Sequence, residues 1–96
     1  MNTRDSIIGK IHESEQELRA MGVLNLWLFG SSARNEPGAK DADFLVEFAD
    51  RPTFTGFMNL KFFLEEKLQM PVDIHTRSSC PERFMRRIQP DLLHVA

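Results

Sequence analysis

Val23-Leu24-Asn25-Leu26-Trp27-Leu28-Phe29 runs into Gly30-Ser31-Ser32-Ala33-Arg34, and a second run opens as Asp41-Ala42-Asp43-Phe44-Leu45-Val46-Glu47-Phe48. The first run is apolar on both alternating faces, the mark of a central strand. Gly30 ends it, and Ser31 to Arg34 reads as a short helical turn. Asn35-Glu36-Pro37-Gly38 is turn chemistry, because proline fixes one dihedral and glycine accepts the positive one. The second run reads as a strand from Asp41 to Phe48. Alternation sends Asp41, Asp43, Leu45 and Glu47 to one face and Ala42, Phe44, Val46 and Phe48 to the other.

Upstream, Asn2 or Thr3 caps a helix expected to run to about Ala20. Ile7, Ile8, Ile11 and Leu18 recur at helical spacing, and Gly22 is its stop. Downstream, Asp50-Arg51-Pro52 ends the second strand. A long helix follows from Thr53 or Thr55 to Gln69, with Phe57, Leu60, Leu64 and Leu68 on its inner face; Gly56 weakens its first turn. Met70-Pro71 breaks that helix. Val72 to Thr76 forms a third strand, with Val72 and Ile74 on one face and Asp73 and His75 on the other. Pro81 starts a last helix, capped by Ser79 or Cys80 and anchored by Phe84 and Ile88. Pro90 stops it, and Leu92 to Val95 adds a short edge strand. The expected fold class is α/β (α+β): a small mixed sheet with helices packed on one face.

The chain has 96 residues, which predicts one domain over 1–96 near the lower size limit for unassisted folding. Eight Phe and one Trp supply its core. A formal net charge of -2 excludes a general basic surface for nucleic acid. The single cysteine, Cys80, excludes an internal disulfide and reads as a buried or incidental thiol. The N-terminus leads into an amphipathic pattern, so no secretory leader is expected. No run approaches the ~20 apolar residues of a membrane span. The expected place is the cytoplasm.

The chemistry lies in the carboxylates. Residues two apart in a strand share a face, with Cα atoms ~6.5–7 Å apart. Paired catalytic metals sit ~3.5–4 Å apart, so Asp41 and Asp43 leaning together can bracket two ions. Mg²⁺ favours such a site, because it prefers a few carboxylates plus substrate phosphates. Asp73 lands on the same face if its strand lies beside the second, and can then ligate metal and accept a proton. Gly30 lets a phosphate approach the backbone. Ser31 offers a hydroxyl and an N–H at the start of a helical turn, where anions are favoured. Arg34 can reach a triphosphate. Taken singly, a D-x-D is ordinarily a solvated strand end and a Gly-Ser an ordinary turn. The ordered set is far more specific than either.

Leu28-Phe29-Gly30-Ser31-Ser32-Ala33-Arg34, Asp41-Ala42-Asp43-Phe44-Leu45-Val46-Glu47-Phe48 and Pro71-Val72-Asp73-Ile74 together resemble the minimal nucleotidyltransferases (MNT) of the DNA polymerase beta-like nucleotidyltransferase superfamily. The resemblance covers nearly the whole chain. It implies that Gly30 and Ser31 contact nucleotide phosphates, that Asp41 and Asp43 ligate two Mg²⁺ ions, and that Asp73 completes the site. It also implies an antitoxin paired with a HEPN-domain toxin, using ATP to place AMP on a toxin hydroxyl, typically a tyrosine. The chain departs from the pattern at Lys40, where serine is common, and at Ser32, where arginine is frequent. Larger relatives carry an added acceptor-binding domain. With no room for one here, a partner protein is expected to bring the acceptor, in a homo- or hetero-oligomer.

Two other functions compete with transfer. An interaction module of the same fold could neutralise its partner by contact alone, but would not need all three aspartates. Metal-dependent phosphodiester hydrolysis also uses clustered aspartates; the Gly-Ser loop and the lack of a basic surface argue against it. His75 shares a face with Asp73 but pairs with no second ligand, so a structural or exposed role is expected. Arg83, Arg86 and Arg87 read as favourable charge at a helix C-terminus, or else as an anion-binding patch. Phe54, Phe57, Phe62 and Phe63 read as core, with a partner-binding patch as the alternative.

Overall fold

The computed structural model describes residues 3–96. The expected first helix is two: α1 (Thr3–Glu13) and α2 (Glu15–Ala20). Thr3 lies within the first turn of α1 rather than capping it, and the alternative cap, Asn2, lies outside the described residues. The break falls at Ser14. Its N–H donates to the Ile11 carbonyl at 3.0 Å, a tight i−3 bond, while its buried hydroxyl donates back to the Lys10 carbonyl at 2.9 Å. Such back-bonding competes with the regular ladder and bends the axis. The bend turns Leu18 into the same core as Ile7 and Ile11.

The strands are β1 (Val23–Phe29), β2 (Ala42–Phe48), β3 (Val72–Thr76) and β4 (Leu93–His94), in the order β3-β2-β1-β4. β1 runs antiparallel to β2 and β4, and β2 runs parallel to β3, so the sheet is mixed. A parallel pair needs a long crossover, which α3 (Phe54–Leu68) supplies. Thr53 caps α3, its hydroxyl accepting from the Gly56 N–H at 2.9 Å.

One sheet face presents Leu26, Leu28, Ala42, Phe44, Val46, Val72 and Ile74 to Ile7, Ile11, Leu18, Leu60, Leu64 and Leu68 of the three helices. The last helix, α4 (Glu82–Ile88), departs from the single helical layer expected. It packs on the opposite face, where Ile88 meets Phe29 and Leu45 while Phe84 and Met85 flank them. The reason lies in β1, whose Trp27 and Phe29 would otherwise face water. Pro81, rather than Ser79 or Cys80, occupies the position before α4 and gives no side-chain cap. β4 is two residues long, shorter than expected, but the chain stays zipped beyond it: the Leu26 N–H donates to the Ala96 carbonyl at 2.8 Å. Among the described residues, no helix is long and apolar enough to cross a membrane.

Candidate active site

β1 ends on Phe29, which pairs with Asp43. Gly30 follows at φ +80°, and a Cβ there would lie 2.6 Å from a carboxylate oxygen of Asp43. The dihedral favours glycine, and any side chain there would push the Asp43 carboxylate aside. The chain then closes a helical turn, with the Arg34 N–H donating to the Gly30 carbonyl at 3.1 Å. The expected turn at Ser31 to Arg34 is present, and it leans against the aspartate.

Asp43 and Asp73 are direct partners in the parallel ladder of β2 and β3. Adjacent strands lie ~4.8 Å apart, so the two side chains rise from one sheet face as neighbours. Asp43 is half-buried and Asp73 exposed. Asp41 stands just outside β2, exposed, rather than as the first residue of the strand. Burial pushes the Asp43 carboxyl above its ordinary value, the charges of Asp73 and Asp41 add to the rise, and His75 opposes it. Three carboxylates thus feel one another at a half-dry position, an arrangement that a cation relieves.

Among the described residues, no three His, Cys, Asp or Glu side chains converge into a ready-made cation cage. Mg²⁺ does not need one. It is held by one or two carboxylates plus the phosphates of its nucleotide, and this all-oxygen donor set fits it. Gly30 lies directly against the Asp43 carboxylate, and Ser31 follows it in the turn.

The Arg34 guanidinium is engaged elsewhere: it bonds Glu36 at 3.2 Å and Asp91, in the turn after α4. Both carboxylates raise the arginine's pKa, Glu36 foremost. Asp91 was not legible as a partner, since 57 positions separate it from Arg34. Ser32 was legible only as an oddity. It is fully buried, and its hydroxyl donates to the Asp41 carbonyl at 2.6 Å. Nothing in its spacing marks it.

His75 stacks in an aromatic group, 5.1 Å from the Phe84 ring and 5.8 Å from Phe29. Burial pushes the Cys80 thiol up, which disfavours the thiolate a nucleophile would need. Arg86 pairs with Glu82 at 2.9 Å, whereas Arg87 sits over the Phe84 ring. Phe54 and Phe62 are exposed on α3, while Phe57 and Phe63 pack against the core. A groove of about 750 Å³ lies at the other end of β2 and β3 between Ala49–Pro52 and Arg77–Ser79. None of the three aspartates lines it.

Residues 10–91 match the model of the nucleotidyltransferase domain. The chain belongs to that family. Among nucleotidyltransferases, the protein adenylyltransferase MntA of Thermococcus cleftensis is 30% identical over 97 residues, covering 99% of this chain and 98% of its own length. A solved structure assigned as a minimal nucleotidyltransferase superposes with a TM-score of 0.80 at 24% identity, covering 97% of this chain and 95% of that one. A tri-AMPylated HEPN toxin in complex with its MNT antitoxin, from Shewanella oneidensis, gives a TM-score of 0.68 at 19% identity, over 91% of this chain and 69% of that one. These likenesses of structure establish a shared nucleotidyltransferase fold.

Proposed function

We propose that this nucleotidyltransferase is a Mg²⁺-dependent protein adenylyltransferase of the cytoplasm. It transfers AMP from ATP to a hydroxyl, a tyrosine's, of a HEPN-type toxin and so acts as its antitoxin. The observation that carries the reading is the ladder pairing of Asp43 with Asp73 directly against the Gly30 turn. Two neighbouring carboxylates beside a glycine turn support a site for metal and phosphate. The MntA relative, matched over nearly its full length, supports AMP as the transferred group. The AMPylated toxin in complex with an MNT antitoxin supports the kind of acceptor.

Gly30 and Ser31 would present backbone N–H groups and a hydroxyl to the nucleotide phosphates. Asp41 and Asp43 would hold Mg²⁺, with Asp73 as the third carboxylate. Bound there, the metal would supply charge neutralisation at the phosphates and lower the pKa of the acceptor hydroxyl. The acceptor oxygen attacks the α-phosphorus. The new O–P bond forms as the bond to the bridging oxygen breaks, pyrophosphate leaves, and a carboxylate oxygen of Asp73 takes the proton. The exposure of Asp73, against the half-burial of Asp43, suits it to meet an incoming macromolecule.

Intact mass spectrometry of a HEPN partner incubated with the protein, ATP and Mg²⁺ tests the reading. One or more AMP units are expected with wild type and none with Asp43→Ala. A stable complex that gains no mass would reassign the protein as a contact-only antitoxin.

A further inference from the structure

We propose that Ser32 is the positioning residue for Asp41, and that this one buried hydroxyl sets how tightly the site holds a divalent cation. The inference rests on the nucleotidyltransferase site described above, but not on which group is transferred. Asp41 lies outside β2, so its main chain is not fixed as a strand residue. Two other bonds fix it. Its carbonyl accepts from Ser32 Oγ at 2.6 Å, and the next N–H along, that of Ala42, donates to the Pro71 carbonyl at 3.0 Å. The peptide plane between Asp41 and Ala42 is thus held from both sides. On one side is the turn that carries Gly30 and Ser31; on the other is the residue just before β3, two positions ahead of Asp73.

All three parts of the site therefore meet at one peptide unit. Rotation of that plane would swing the Asp41 side chain relative to Asp43 and leave the sheet intact. The Pro71 bond alone leaves it a hinge, and the Ser32 bond locks the hinge. Ser32 is itself fully buried, so water does not readily replace its hydroxyl. The other fully buried polar side chain among the described residues, Ser14, also bonds a carbonyl, that of Lys10 at 2.9 Å. It does so between two helices on the far face of the sheet, away from any carboxylate of the site. The two serines form a matched pair, one tied to the site and one not.

The test is Mn²⁺ binding followed by electron paramagnetic resonance, with a non-hydrolysable ATP analogue present and circular dichroism to verify folding. Ser32→Ala is expected to weaken Mn²⁺ binding about 10-fold, the lower end for loss of a group that orients a metal ligand. Ser14→Ala is expected to bind Mn²⁺ as wild type does. If Ser32→Ala does not fold, Ser32→Cys fills nearly the same space with a poorer donor, and the same direction of loss is expected. Equal Mn²⁺ affinity in the Ser32 variant and wild type overturns the proposal, as does an equal loss in Ser14→Ala. A wild type that binds no Mn²⁺ overturns both this and the transfer reading. A wild type that binds Mn²⁺ in a Ser32-dependent way yet labels no HEPN partner overturns the transfer reading alone.

Discussion

Gly30→Ala separates the two demands made on that glycine. Gly30 and Gly38 both sit at φ +80°, but a Cβ at Gly38 meets nothing within 4 Å, whereas one at Gly30 meets an Asp43 oxygen at 2.6 Å. The left-handed conformation costs an alanine about 1–2 kcal/mol at either position. For a domain of this size that lowers the melting temperature by roughly 4–16 °C. Only at position 30 must the carboxylate also retreat. Reaching the 3.4 Å where ordinary contact begins, from 2.6 Å, takes about 0.8 Å. A misplacement of about 1 Å at a reacting centre costs about 100-fold in rate. Melting curves and AMP incorporation, measured side by side, should show both variants destabilised alike, with transfer lost about 100-fold only in Gly30→Ala. Equal transfer by the two variants would refute the idea that the Gly30 turn and the Asp43 carboxylate share one packed position.

Asp43→Asn should abolish transfer while leaving the metal-free melting temperature equal or higher, because it removes a half-buried charge facing two like charges; a fall of many degrees would mark Asp43 as structural. The Glu65 carboxylate accepts from the Val72 N–H at 3.0 Å and from Lys61 at 3.1 Å, the backbone bond foremost in holding its pKa below the ordinary value. A lowered carboxylate pKa stabilises the fold above the unfolded-chain value, and that stability is lost as pH falls through the folded one. Urea melts of Glu65→Gln should therefore match wild type at strongly acid pH and fall below it at neutral pH; parallel curves would remove Glu65 from the account. Leu60, fully buried beneath the sheet, should cost about 2–5 kcal/mol as alanine. Phe62→Ser on the exposed side of the same helix should stay within about 0.5 kcal/mol, a contrast that chemical denaturation reads directly.

The strands, the crossover helix and the Gly30 turn were legible because each is written locally. β1 is apolar on both faces, β2 alternates, and glycine stands where the chain must turn beside a carboxylate. Helical periodicity placed Leu60, Leu64 and Leu68 on the buried face of α3. What escaped depends on partners remote in sequence or on competition for one hydrogen bond. The break at Ser14 arises because its hydroxyl takes the Lys10 carbonyl, a choice that 3.6-residue spacing does not encode. The side of the sheet taken by α4 follows from Trp27 and Phe29 needing cover, more than 50 residues upstream of the helix that gives it. Asp41 reads as strand by alternation, yet the ladder begins one residue later. Ser32 and Asp91 act only after the chain has closed.

The Glu65 bond to the first N–H of β3 has a consequence beyond the stability of one junction. β3 is an outermost strand, and its free edge is a template on which another chain could add. Glu65 occupies the opening donor of that edge and leaves a negative charge in front of it. At the opposite border, β4 offers two residues, too few to seed a new pairing. Both borders of the sheet are therefore poor templates for a further strand. Here one glutamate and one truncated strand guard the two borders, and growth of the sheet into aggregates is blocked at both.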